Sequence, residues 1–325
     1  GRNNYDGLLK STDNGQNWFT TGLNGEAIYS LAASGSEIIA GYGSGLYRST
    51  DDGISWVQAP YISGSVTSIA FTGSNIFAAT FPSTLYRSSN SGQNWAICSG
   101  LGGNINCVAV NGSNVFAGTN SAVYYSPDNG QTWSQTTLNG RRIHSLLING
   151  PDIFAGTDSN GVLISTNNGL NWSQTPLNSH RVTSLALIAG NLYAGTCYSA
   201  LNINSGVYVS TNNGLTWTHT SLKSRFVKTI YANGQNIFAG SDGLFYSSDN
   251  GLSWIAKEFP ATSNILSFSG SDSIMLLGCN NYDVYLSTNF GQNWSFNSSS
   301  GGNPNSFLIN GPRFLAGKSM GIYLS

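Results

Sequence analysis

Charge is scarce in this 325-residue chain: Asp, Glu, Lys and Arg together make up 8% of it, and 13 cationic side chains nearly cancel 14 acidic ones. With no overall positive field to displace counterions from phosphates, the composition excludes a general nucleic-acid binder. No apolar run approaches the roughly 18 to 20 residues that a bilayer-crossing helix needs, so no transmembrane segment is expected. Helical runs are missing as well, because the stretches between turn signals are short and rich in β-branched and aromatic residues. The four cysteines, Cys98, Cys107, Cys197 and Cys279, show no CxxC spacing and no accompanying His-rich cluster, so neither a metal site nor a cofactor is expected. They allow three pairings, among which the sequence does not choose; unpaired, packed thiols are the expectation, since a chain of this size needs no disulfide framework. The chain carries no recognisable signal peptide and opens at Gly1 without Met, from which a processed or excised part of a longer chain is expected.

What is abundant is aromatic, and it is periodic. The eight tryptophans are Trp18, Trp56, Trp95, Trp133, Trp172, Trp217, Trp254 and Trp294, at successive spacings of 38, 39, 38, 39, 45, 37 and 40. A fixed period near 40 marks an array of equivalent supersecondary units. One unit reads INCVAV, NVFAGT, AVYYS, then PDNGQTW followed by SQTTL: four short runs rich in Val, Ile, Phe, Tyr and Thr, separated by Gly, Asn and Ser turns. Four strands per unit, with two apolar faces per sheet to hide, predict an all-β, eight-bladed β-propeller of four-stranded antiparallel blades. The blades are expected at about 26–60, 64–100, 103–138, 141–177, 180–222, 225–259, 263–298 and, in a blade shared by both ends, 303–325 plus 7–21 of a single domain. In that last blade three strands are expected from the C-terminus, around 306–309, 313–317 and 322–325, with 18–21 as the outer strand. One misfit remains. Gly7 to Lys10 also reads as a third strand, so that strand appears nine times.

Each tryptophan ends an octapeptide: STDNGQNW, STDDGISW, SSNSGQNW, SPDNGQTW, STNNGLNW, STNNGLTW, SSDNGLSW and STNFGQNW. The third position is Asp13, Asp51, Asp128 and Asp249 in four copies and Asn90, Asn167, Asn212 and Asn289 in the others. This pattern resembles the Asp-box, or BNR, repeat (Ser-x-Asp-x-Gly-x-x-Trp) of sialidase-like and sortilin-type propellers, and the resemblance covers essentially the whole chain. It implies that each octapeptide is the turn between the third and fourth strands of a blade, structural in role and facing away from any ligand. The residues agree with that reading, since an Asx side chain accepts backbone N–H groups and the following Gly tolerates positive φ. Eight calcium loops are the competing reading, disfavoured because four of the eight carboxylates are amides and calcium affinity depends on ligand charge.

Function is therefore expected on the opposite rim. Between Gly140 and Lys228 six cations (Arg141, Arg142, Arg181, Lys223, Arg225 and Lys228) face two carboxylates, Asp152 and Asp158, a net +4; the remainder holds 7 cations against 12 carboxylates, a net −5. Arg142 and Arg181 fall at the same repeat position, just before the inner strands of adjacent blades, with Arg225 one residue further out and His144 and His180 nearby. Arginine presents a planar fork to oxyanions, so these residues are candidates for an anion or carboxylate site. The one real insertion, Thr196 to Gly206, and the loop aromatics Tyr42, Phe81, Tyr198 and Tyr282 are further candidates, suited to stacking on a sugar.

Relatives sharing the resemblance suggest three roles. Sialidases add an arginine triad, a Tyr–Glu nucleophile pair and an Arg-Ile-Pro stretch; this chain has no Arg-Ile-Pro and only three glutamates, Glu26, Glu37 and Glu258. Repeat-rich endoglucanases and xyloglucanases use two tandem propellers, against one here. A photosystem II assembly-factor type of propeller binds a partner protein through an arginine patch. Low charge with abundant Ser, Thr and Asn is similar to secreted bacterial surface proteins. The expectation is a noncatalytic, exported binding or scaffold module for a glycan or an exported or surface protein, with a sialidase-like or other glycoside hydrolase and a protein-binding assembly factor as alternatives.

Overall fold

A computed structural model describes residues 7–23, 25–197, 204–233, 236–257, 264–271, 273–281, 283–299, 303–310 and 313–319. Their regular structure is entirely β: thirty-two strands in eight four-stranded antiparallel sheets, the arrangement of an eight-bladed β-propeller. In seven sheets the strands follow chain order, as in blade 4, where Ile143–Asn149, Asp152–Thr157, Val162–Ser165 and Ser173–Gln174 lie side by side. The chain divides into two compact units: Gly1–Pro82 with Tyr86–Ala96 and Phe259–Ser325, and Ser83–Leu85 with Ile97–Glu258. The first unit carries blades 1, 2, 7 and 8 and the second carries blades 3 to 6, apart from Ser83–Leu85 and the end of blade 2 at Ile97, which fall in the second.

Blade 8 joins both ends of the described chain, but by two strands from each rather than three and one. Asn303–Asn310 and Arg313–Ser319 form its inner half, Leu8–Ser11 its third strand and Phe19–Thr20 its fourth. Leu8 pairs with Gly317 and Ser11 with Phe314, the register that the third strand keeps elsewhere, and Leu8 is fully buried. The supernumerary third strand at the N-terminus thus fills the place, and 322–325 lies outside the described residues.

The second strand of each blade explains how neighbours pack. Its sequence (NVFAGT in blade 3, DIFAGT in blade 4) is buried on both faces, and near its end stands a glycine. A Cβ on Gly118 would lie 2.7 Å from Ile143 of the next blade, on Gly156 2.8 Å from Val182, and on Gly195 2.9 Å from Val227. Glycine there lets the following inner strand come into van der Waals contact. Carbonyls of that inner strand are then gripped from the preceding blade: Ser30 Oγ donates to Val66 O at 2.8 Å, Asn106 Nδ2 to Ile143 O at 2.9 Å and Thr183 Oγ1 to Val227 O at 2.7 Å.

All eight octapeptides sit between third and fourth strands and repeat one bonding scheme. The Ser Oγ accepts the Gly amide at 2.8–2.9 Å throughout. It donates to the Asx side chain at 2.7–2.8 Å where that is Asp. The distance is 3.0 Å where it is Asn, the difference expected of a charge-assisted bond. The fourth position has positive φ in every copy, including Ser91 and Phe290, and the Gly after it as well. In the Asp copies the second carboxylate oxygen is also taken, by Asn17, Ser55, Thr132 or Ser253. These bonds hold the carboxyls low: the Asn17 amide acts first on Asp13, and the Ser55, Thr132 and Ser253 hydroxyls on Asp51, Asp128 (to about 2) and Asp249. Trp18, Trp95, Trp133, Trp172 and Trp254 donate Nε1–H to the box glycine carbonyl at 2.9–3.1 Å. The indoles of Trp18, Trp56, Trp95, Trp172, Trp217 and Trp254 pack against hydrophobic core clusters. None of the four cysteines is joined in a disulfide, and burial pushes the Cys107 and Cys279 thiols up to about 12.

Candidate functional site

Inner strands begin, and second strands end, on the rim opposite the octapeptides. In blade 4 a bulge between Ile143 and Ser145 sets His144 out of the regular alternation, as bulges do when they re-aim a side chain. Asp158, in the loop after the second strand, is pinned to the start of the inner strand by its amide, which donates to Arg142 O at 3.1 Å. The two side chains meet there, with His144 Nε2 2.8 Å from Asp158 Oδ1. Arg181, opening the inner strand of blade 5, brings its Nε to 3.2 Å from the same oxygen, an ion pair without hydrogen-bond alignment. Arg142 stands close enough for its charge to act on both His144 and Asp158, and its buried Nε has no hydrogen-bond partner among the described residues.

Burial would push the Asp158 carboxyl up, but His144, Arg181 and Arg142 more than offset it and hold the group low. His144 moves down too: burial and the two guanidiniums outweigh Asp158, so the ring is neutral at pH 7. Two guanidiniums thus face a single carboxylate. Ser145 Oγ is buried with no hydrogen-bond partner among the described residues, and His144, at the position from which Asn106 and Thr183 grip a neighbouring carbonyl, turns to Asp158 instead.

The other candidates lie apart from this group. Arg225 pairs with Asp242 of its own blade at 2.5 Å and lies over the Phe245 ring at 5.3 Å. Tyr42, on blade 1, is 5% exposed, its hydroxyl accepting from Gln58 Nε2 at 2.6 Å and its ring 4.8 Å from that of Tyr47. Phe81 is 43% exposed at the same level of blade 2. Tyr198 and Tyr282 fall outside the described residues, as does most of the insertion. His180 reaches Tyr208 Oη with Nε2 at 3.0 Å, and Tyr208 stacks on His219 at 4.2 Å, a cluster that packs the outer strand of blade 5. The role of Asp158 as hub is not evident from its own blade, yet a signal exists. FAGTD and FAGSD place Asp158 and Asp242 at one repeat position, each within reach of an arginine from the start of an inner strand.

No family model matches the chain, and no curated protein matches it in sequence. Solved structures do. The computationally designed Ika8 protein aligns over 90% of this chain and 93% of its own at 12% identity, with a TM-score of 0.76. YCF48 from Cyanidioschyzon merolae aligns over 90% and 95% at 15% identity, with a TM-score of 0.61. A structure of YCF48 bound to D1 peptide gives 90%, 94% and 13%, with a TM-score of 0.55. The GH74 xyloglucanase from Xanthomonas campestris aligns over 86% of this chain at 14% identity, with a TM-score of 0.64, but over only 55% of its own length. At these identities the likeness is one of fold.

Proposed function

We propose that the chain is a noncatalytic binding propeller of the Asp-box class, exported to the cell surface, that takes an exported protein partner through a carboxylate at the rim of blades 4 and 5. The observation that carries this reading is the imbalance at that rim, where Arg181 pairs with Asp158, the charge of Arg142 acts on the same carboxylate, and no ion pair of Arg142 is found among the described residues. A partner carboxylate would complete the set with the planar, bidentate geometry that arginine favours. YCF48, a structural neighbour of similar extent, has been seen with a bound peptide, which supports a propeller of this fold used for protein recognition. Export is supported by the low charge and the Ser, Thr and Asn richness of the surface loops.

A glycoside hydrolase is the weaker reading. It requires a carboxylic acid held protonated opposite a second carboxyl, whereas Asp158 is held ionised and Asp242 is paired with Arg225. The test compares the native chain with Arg142→Ala/Arg181→Ala as bait for the exported proteins of its own cell, alongside a glycan array. A partner lost with the double variant is expected; a partner retained equally by both baits, or glycan binding alone, overturns the reading.

A further inference from the structure

His144 and Arg181 come from different blades and approach one oxygen of one carboxylate, Asp158 Oδ1, at 2.8 and 3.2 Å. Whatever strengthens one contact weakens the claim of the other. The charged and titratable groups facing the imidazole are Asp158 from the loop of its own blade, Arg181 from the next blade and Arg142 two residues before it. The His144 side chain is 13% exposed, whereas Asp158 and Arg181 are 48% and 35% exposed, so a ligand reaches the ion pair from solvent while the histidine stays behind it.

We propose that protonation of His144 gates this rim site, so that an anion binds more tightly in acid than at neutral pH. This deepens the carboxylate-binding reading given above and rests on it. A neutral imidazole donates a single hydrogen bond to Asp158 and leaves the aspartate as counter-ion to Arg181. An imidazolium takes Asp158 as its own counter-ion. Arg181 and Arg142 are then left with a net deficit of negative charge, which an incoming oxyanion fills. By linkage, a bound anion must in turn raise the affinity of His144 for its proton. Folding works in the opposite sense. Burial lowers the histidine's proton affinity in the empty protein, so acid costs the unliganded fold stability below the ordinary imidazole range, and the anion restores it.

The probes are formate and methanesulfonate, both ionised throughout the range, so that ligand titration contributes nothing. Side-chain guanidinium signals of Arg142 and Arg181 are followed by NMR during titration of the intact chain, with the His144 ring observed in parallel. Binding that tightens as pH falls from 7.5 through and below the ordinary imidazole range, by at most about tenfold per pH unit for one linked proton, is expected. His144→Asn should bind equally throughout that range, and Asp158→Asn should bind more tightly than the native chain with no dependence on pH. Binding to the arginines that is flat with pH in the native chain, or pH-dependent still in His144→Asn, overturns the gate and leaves the binding site standing. Arginine signals unmoved by either anion at any pH remove the carboxylate site itself, and the gate with it.

Discussion

The octapeptide loops and the opposite rim are built on the same eight repeats, yet they diverge in kind. At the loops, Asp or Asn, Gln, Leu or Ile, Ser or Asn all lead to one set of hydrogen bonds, with the Gly amide to Ser Oγ at 2.8–2.9 Å in every copy. At the rim, the residue after the first buried position of the inner strand is Asn106, His144, Thr183 and Lys228 in four successive blades. Asn106 and Thr183 tie the next blade, while His144 turns to a carboxylate. Positions that obey the repeat keep one set of bonds; positions that leave it differ from blade to blade in what they bond.

Substitutions can break that division, and the largest effect is expected at the loops. Trp172→Ala removes an indole packed on Val123, Leu138 and Ile143 and should cost about 3–5 kcal/mol, read by denaturant unfolding. Gly169→Ala places a Cβ 2.6 Å from Phe116 of the preceding blade at φ +80°, for which about 1–3 kcal/mol is expected in the same assay. Arg142→Ala/Arg181→Ala should leave the melting temperature within a few degrees of the native chain while abolishing capture of the partner. An equal loss of stability at rim and loop would erase the distinction.

Acid titration sharpens it. Asp13, Asp51, Asp128 and Asp249 have folded-state pKa values below the unfolded one, so their contribution is present above about pH 4 and lost as pH falls towards 2. Replacing all four by Asn should flatten the acid limb of a melting-temperature profile without disturbing the eightfold bonding scheme, because the other four loops already use the amide. The smallest expected change is Phe290→Asn. A half-exposed phenylalanine at φ 56° gives way to a residue that tolerates the left-handed region, for a gain of up to about 1 kcal/mol, measured by thermal unfolding.

The blade pattern was readable in the chain because period, turn chemistry and strand composition all recur with the tryptophans. The blades expected at about 26–60, 103–138, 141–177 and 263–298 open with inner strands at Ile28, Ile105, Ile143 and Ile265. What failed to be readable was which of two equivalent segments completes blade 8. Leu8–Ser11 and 322–325 have the same local character, and only pairing across some 300 residues with Arg313–Ser319 separates them. The rim divides likewise. Alignment of the repeats puts Arg142 and Arg181 at one level, but charge counting treats Asp158 as a minor offset; the bulge and the pinned loop recur in other blades, and what sets this one apart is the side chains they bring together, His144, Asp158 and Arg181. Arg225, one residue further out, reaches Asp242 instead.

Blade 8 also imposes an order on biosynthesis. Leu8 and Leu9 are buried in the finished molecule, yet their strand partners, Gly317 and Ala316, are synthesised some 300 residues later. At about 5 to 20 residues per second, the edge of Leu8–Ser11 waits on the order of 15 to 60 s for that pairing while the intervening blades emerge. Rewiring the chain so that translation started between two complete blades would give that edge its neighbour at birth.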